Sequence, residues 1–96
     1  EVKMNRKNYV RIHSAKELED YLSAGRTDFS ETDLSGLDLS GIDFKKYNEK
    51  YGSLNFSGAD LSGVNLRGAY LRGANLSDAR LGTLIGKNLF FPNKPN

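Results

Sequence analysis

Apolar residues recur every five positions from Thr27 to Thr83, and the segment divides into ten five-residue words with one interruption after the fourth. The third residue of every word, here called its centre, is Leu or Phe. The centres are Phe29, Leu34, Leu39, Phe44, Phe56, Leu61, Leu66, Leu71, Leu76 and Leu81. The residue two before each centre is small or apolar, and the one between them is usually Asp or Asn. Two residues of each word are therefore predicted to point inwards and three outwards.

A period of five fits neither the 3.6-residue period of an α-helix nor the two-residue period of a long strand. Inside each word the two apolar residues alternate as they do in a short strand, so a tight corner must follow them. Gly occupies the fifth position of six words, where it supplies the positive φ that a corner needs. Because each unit can bury its apolar face only against its neighbours, the pattern predicts a solenoid.

Three words, ADLSG from Ala59, VNLRG from Val64 and ANLSD from Ala74, are close to the pattern A(D/N)LXX. On this pattern residues 27–83 resemble the pentapeptide-repeat proteins. The resemblance implies an all-β solenoid, namely a right-handed quadrilateral β-helix of about two and a half coils, with four words per coil and centres stacked in ladders. It implies fold more than function, because proteins that share a scaffold differ in activity.

Residues 1–26 are predicted to form an N-terminal tail, a short strand and a capping helix ahead of the repeat. Residues 1–8 are polar and basic, as expected of a solvated tail. Residues 9–13, YVRIH, alternate as an edge strand does, with Val10 and Ile12 on one face.

A helix is predicted from about Ala15 to Ala24, because Ser14 and Glu17 form a capping box and Gly25 closes the helix. An apolar stripe with the spacing i, i+3, i+4 comprises Leu18, Tyr21 and Leu22. The stripe is predicted to cover the first coil, since an uncapped coil would expose an apolar ladder and sheet edges. A helix that binds a partner is the alternative.

The repeat is interrupted at residues 47–53, YNEKYGS, which contain no good word. In the favoured interpretation all seven residues form an irregular loop, so that Phe56 lies directly below Phe29. In the alternative, EKYGS is a degenerate word centred on Tyr51, which would turn Glu49 inwards and bury an unpaired carboxylate. The loop predicts four interior ladders: Phe29 over Phe56 over Leu76, Leu34 over Leu61 over Leu81, Leu39 over Leu66, and Phe44 over Leu71.

Residues 84–96 are predicted to form a C-terminal cap and tail. Leu89 to Phe91 are expected to fold under the last coil as its lower cover, because an exposed edge there would pair with another chain. The alternatives are a homodimer made by stacking these ends, or a following domain. The first residue is Glu rather than Met, which favours a fragment, a processed chain or a missing disordered start.

The composition argues against catalysis and against a cofactor or metal. The chain has no cysteine for a nucleophile or a zinc site, and its one histidine, His13, lies just before the helix. Its Ser and Asp residues recur at outward repeat positions, and its glycines recur as corners and not as phosphate loops. We therefore expect a chain that is not an enzyme. The lack of cysteine suits the cytoplasm, with secretion as an effector as the alternative.

The net charge of +2 favours neither direct nucleic-acid binding nor a membrane, yet the charges are segregated along the chain. The first four words carry five acids up to Phe44 with no basic residue among them: Asp28, Glu31, Asp33, Asp38 and Asp43. One interpretation is a DNA-mimicking surface, as in pentapeptide-repeat proteins that bind DNA gyrase. In the favoured interpretation Asp belongs to the repeat word, where it bonds a corner amide or faces water.

Basic and aromatic residues are predicted to meet at one edge of the solenoid, where Lys45 would lie above Arg72. The predicted partner-binding residues are Lys45, Tyr47, Lys50, Tyr51, Arg67, Tyr70 and Arg72. Tyr and Arg often dominate interface energetics, because they give rigid contact area and multidentate hydrogen bonds. The partner would be a protein with an acidic surface, and a solvated face is the alternative.

The sequence thus predicts a non-catalytic protein-binding or scaffolding module, and the resemblance implies a segment of a bacterial regulator or effector. The alternatives are a nucleic-acid mimic that binds a topoisomerase and a purely structural spacer. The chain is expected to be a monomer or an end-to-end homodimer through Leu89 to Phe91.

Overall fold

The computed structural model of the chain describes residues 10–82. These residues contain two short strands and two helices. In chain order the elements are β1 (Val10–Arg11), α1 (Ala15–Ser23), β2 (Thr32–Asp33) and α2 (Phe44–Tyr51). Strand β1 pairs in parallel with β2, with Val10 opposite Thr32. The predicted edge strand is therefore present within residues 9–13. The proposed C-terminal cap, residues 84–96, and its dimer contact lie outside the described residues.

The words stack on one another through parallel backbone bridges. The bridged pairs are Asp28 with Asn55, Asp33 with Asp60, Asp38 with Asn65, Asn55 with Asn75, and Asp60 with Arg80. Partners are 20 residues apart after the interruption, which is four words, and 27 residues apart across it. The seven additional residues are those between the fourth and fifth words. The predicted register, with Phe56 below Phe29, is confirmed.

The centres of the words form the apolar core. Nine of the ten are buried and Leu81 is partly buried. The rings of Phe29 and Phe56 stack with their centroids 5.7 Å apart, and Phe44 meets Phe56 edge-on at 6.4 Å. Thr32 also points inwards, and its hydroxyl donates a 2.7 Å hydrogen bond to the carbonyl of Phe29. The buried hydroxyl is therefore satisfied, as burial in an apolar core requires.

Each Asp or Asn in the second position of a word holds the corner that follows it, except Asp43. Its side-chain oxygen accepts a hydrogen bond from the backbone amide two residues on, at 2.9–3.1 Å, in seven words. This is an Asx turn, which Asp and Asn form because their oxygen reaches that amide. The predicted corner bond of Asp is confirmed. The fifth residue takes positive φ in six of these seven words, including the two where it is Glu31 or Asp78, and Gly41 is the exception.

Helix α1 packs against the apolar core. The Ser14 hydroxyl accepts a 3.0 Å hydrogen bond from the Glu17 amide. The Glu17 carboxylate accepts a 2.8 Å hydrogen bond from the amide of His13. In a standard capping box it would accept from the amide of the N-cap residue, which here is Ser14. The side chains of Leu18 and Leu22 are fully buried beneath the helix.

The C-terminal end of α1 is closed by Gly25, one residue after the C-cap Ala24. Gly25 has a φ of +96°, and its amide bonds the carbonyl of Leu22 at 3.0 Å. The amide of Arg26 bonds the carbonyl of Tyr21, also at 3.0 Å. This pair of bonds is the Schellman motif, which favours glycine because of the positive φ.

The prediction of an irregular loop at residues 47–53 is wrong, because α2 occupies most of this segment. Asp43 caps the helix by accepting a hydrogen bond from the Lys46 amide at 3.3 Å, and Gly52 ends it with a φ of +97°. Phe44 and Tyr47, one turn apart, are buried. The insertion is helical because these two side chains share a face that packs against the rest of the protein. The sequence predicted one helix, whereas the described residues contain two.

Candidate functional site

The seven predicted partner-binding residues fall into two groups in the structure. Lys45, Arg67, Tyr70 and Arg72, here called the patch, lie at the start of α2 and on the third and fourth words from the end. The second group consists of Tyr47, Lys50 and Tyr51. Together with Ser23 and Lys46 it lines an opening between α1 and α2, here called the cleft. One predicted surface is thus divided into two.

In the patch, the Lys45 ammonium lies 5.5 Å from the centre of the Tyr70 ring, a cation–π contact. Tyr70 stands in the second position of its word, where most words have Asp or Asn, so it does not form an Asx turn. Arg67 and Arg72 are exposed in the fourth positions of adjacent words. The backbone amide of Arg67 donates a 3.1 Å hydrogen bond to the side-chain oxygen of Asn65, and this bond holds the turn at Arg67. Their guanidinium groups therefore project from ordered corners.

Tyr47 was predicted to contribute an exposed ring, but the structure places it in the interior at 5% exposure. Its hydroxyl donates a 2.8 Å hydrogen bond to the Glu19 carboxylate and lies 3.1 Å from the Ser23 hydroxyl. Both partners are on α1. Tyr47 therefore holds the capping helix to α2 and does not offer a contact surface, which corrects its assignment.

Tyr51 is half-buried and also contacts α1. Its hydroxyl donates to the backbone carbonyl of Ser23 at 3.3 Å, and its ring lies against Gly25, where an added Cβ would be 3.4 Å away. Lys50 lies over the Tyr51 ring at 5.2 Å. One turn earlier, Lys46 repeats the arrangement over Tyr47 at 5.0 Å. The cleft between the helices has a volume of about 340 Å³.

Three of these residues, Glu19, Ser23 and Lys46, did not figure in the predicted site. The signal for Lys46 was present in the sequence, since Lys46 and Lys50 are four apart, as are Tyr47 and Tyr51. That spacing aligns two Lys–Tyr pairs only if the segment is helical. Ser23 and Glu19 carried no comparable signal.

The acidic residues of the first words are largely engaged by their own turns. The pKa of Asp38 is lowered by hydrogen bonds from the Ser40 hydroxyl and amide, and that of Asp28 by the amide of Ser30. Burial raises the pKa of Asp33, but bonds from Ser35 and the Arg11 charge outweigh it and lower the pKa overall. These carboxylates therefore remain ionised while serving as turn acceptors.

Residues 23–46 and 54–82 match the family described as Pentapeptide repeats, in eight copies. The two stretches cover more than half of the chain. The chain belongs to the pentapeptide-repeat family. The unmatched residues between them include most of α2, so this helix is an insertion into the pentapeptide repeat. No curated protein matches the chain in sequence. Family membership generally implies a β-helix.

The surface of residues 10–82 of this pentapeptide-repeat chain presents hydrogen-bonding and charged side chains. The imidazole of His13 lies 3.3 Å from the Glu17 carboxylate at an exposed helix start. Within residues 10–82 no three His, Cys, Asp or Glu side chains are grouped so as to hold a metal ion. Neither α1 nor α2 has the length and apolar character needed to cross a membrane.

Proposed function

We propose that this pentapeptide-repeat chain is a non-catalytic protein-binding module whose partner presents acidic groups to the patch. The observation that carries the proposal is the Lys45–Tyr70 pair with exposed Arg67 and Arg72 on neighbouring corners. Across residues 10–82, none of these three cations has a carboxylate within ion-pair distance. Tyr and Arg are enriched among the residues that dominate the energetics of protein interfaces.

The ordered corners favour binding, because the cations are presented without a large loss of backbone freedom on association. We further infer that the repeat forms a right-handed quadrilateral β-helix of about two and a half coils. The 20-residue spacing between bridged partners supports four words per coil. A binding module in the cytoplasm of a bacterium, as part of a regulator or an effector, is consistent with the family and with the lack of cysteine.

The absence of enzymatic activity is part of the same proposal. It is supported by the way polar side chains are used, since the Asp and Asn oxygens of seven words bind the amides of their own turns. A DNA-mimicking role has less support, because Asp28, Asp33 and Asp38 are engaged in this way and Asp33 also pairs with Arg11 at 3.0 Å. A gyrase supercoiling assay tests that alternative directly.

The test of the patch is quantitative affinity capture from a lysate of the source organism, with Tyr70→Ala and Arg72→Glu compared with the wild type. Lys16→Glu is the matched control, because it makes the same charge reversal on an exposed side chain of α1. We expect a partner that is captured by the wild type and by Lys16→Glu, but lost with both patch variants at an unchanged melting temperature. Equal capture by all four proteins would refute the patch, and a purely structural spacer would capture nothing specific.

A further inference from the structure

The cleft between α1 and α2 is lined by two cations and by three hydroxyl-bearing side chains. It is partly open to solvent and has a volume of about 340 Å³. Small-molecule sites in proteins have volumes from about 300 to 1,000 Å³, so the cleft has room for a small group or one side chain. It is too small for a dinucleotide cofactor.

The cations are Lys46 and Lys50, which lie one turn apart on α2. Residues at this spacing share a helix face, with Cβ atoms about 5–6 Å apart. Both side chains are exposed, and among the described residues neither forms an ion pair with a carboxylate. Each ammonium is positioned over a tyrosine ring, at 5.0 Å and 5.2 Å. Within the described part of the chain, two like charges thus share one helix face without an ion-pair partner.

The other walls supply hydroxyl groups, whose hydrogens are already donated within the protein, and one opposing charge. The Ser23 hydroxyl and the half-buried Tyr51 ring complete the lining. Behind them, the Glu19 carboxylate accepts the hydrogen bond of the Tyr47 hydroxyl at 2.8 Å. That carboxylate forms no ion pair with either lysine among residues 10–82, although its charge opposes an anion in the cleft.

We propose that the cleft binds a phosphate monoester as its dianion. A phosphate ester carries a charge of about −1.5 to −2 near neutral pH and three acceptor oxygens, which matches two ammonium groups with three N–H donors each. A carboxylate would leave one ammonium without a counter-charge. The ester is carried either by a free metabolite or by a phosphorylated side chain of a partner. This site is separate from the patch and does not depend on the function proposed for it.

The test is a titration followed by ¹H–¹⁵N NMR, with inorganic phosphate, a sugar phosphate, a phosphoserine tripeptide and, as a monoanion control, acetate, all at matched ionic strength. We expect saturable shifts at Ser23, Lys46, Lys50 and Tyr51 with the phosphates and none with acetate. Tighter binding of the tripeptide than of the sugar phosphate assigns the site to a phosphorylated partner, and the reverse order assigns it to a metabolite. Equal shifts with acetate, or shifts confined to other residues, would overturn the proposal.

Variants at exposed positions separate a specific site from general charge attraction. Lys46→Gln with Lys50→Gln should weaken phosphate binding about tenfold, whereas Arg at both positions should retain it. Glu19→Gln keeps an acceptor for Tyr47 and should tighten binding about threefold by removing the opposing charge. Lys16→Gln, which removes one cation elsewhere on α1, should leave the affinity unchanged. An equal loss with Lys16→Gln, or no loss in the double variant at an unchanged melting temperature, would show that the cleft is not the site.

Discussion

Replacing Tyr47 with Phe removes one hydroxyl and leaves the shape of the ring unchanged. In the structure this hydroxyl joins α2 to α1 through the Glu19 carboxylate at 2.8 Å and the Ser23 hydroxyl at 3.1 Å. The residue is 5% exposed, whereas its two hydrogen-bond partners are more accessible to water. The substitution therefore measures how strongly the insertion helix holds the capping helix.

The expected loss follows from the type of hydrogen bond. A hydrogen bond to a charged group contributes about 1.5–3 kcal/mol net to the free energy of unfolding. Glu19 is only half-buried and Ser23 is exposed, so water satisfies both of them after the change. We therefore expect the free energy of unfolding to fall by about 1–2 kcal/mol. For a domain of this size that corresponds to a fall in melting temperature of about 4–16 °C.

The assay is urea denaturation of the wild type, Tyr47→Phe, Glu19→Ala and the double variant. A double-mutant cycle should give a coupling free energy of about 1 kcal/mol between the two residues. Tyr51→Phe is the matched control, because its hydroxyl makes a longer bond of 3.3 Å at a half-exposed position, and its loss should stay below about 0.5 kcal/mol. A Tyr47→Phe variant as stable as the wild type, with no coupling to Glu19, would show that residues 47–53 behave as the exposed loop that the repeat pattern suggests.

Three further predictions concern the repeat itself. Leu61→Ala should lower the free energy of unfolding by roughly 2–5 kcal/mol in urea, since the side chain is 2% exposed; a loss under about 1 kcal/mol would mean that the ladder is loosely packed. Gly63→Ala should lose about 1–2 kcal/mol, because its φ of +70° strains a residue with a Cβ, whereas Gly41→Ala, without positive φ and with open space, should be nearly neutral. The pKa of Asp38 is lower in the folded chain than its ordinary value of 3.8, so the ionised carboxylate stabilises the fold at pH values above 3.8. This stabilisation is lost as the pH falls below 3.8 and through the pKa of the folded chain. Asp38→Asn keeps the turn acceptor, so stability measured across this range should depend less on pH than in the wild type, and an unaltered pH profile would contradict the assignment.

The sequence by itself determined the register of the repeat and the chemistry of its corners. The bond from Asp28 to the amide of Ser30 joins residues two apart, so it depends on local sequence alone. The Leu or Phe at each centre is then expected above the centre four words further along, in the alignment that leaves Glu49 outside the core. Phe29 accordingly stacks on Phe56 across an interruption of seven residues.

Helix α2 was less accessible to sequence reasoning, although its signals are present. Asp43 is a good N-cap, Gly52 ends the helix, and Phe44, Tyr47 and Tyr51 have the spacing i, i+3, i+7. The repeat pattern assigns the N-cap and the first three residues of the helix to a word, which obscured these signals. A helix of eight residues is also unstable alone in water. Its formation is decided by contacts with α1, 28 residues earlier in the chain.

The candidate sites depended on the tertiary structure for the same reason. Residue type identified Lys45, Tyr47 and Tyr70 as interface residues, and Lys45 does meet Tyr70. The direction of Tyr47 could not be read from its type, because each successive residue of a helix points about 100° away from the one before it. Once the segment is helical, Tyr47 points inwards to Glu19 and the neighbouring Lys46 points to solvent. The repeat therefore set which words stack, whereas packing of α2 against α1 decided which side chains remain available for binding.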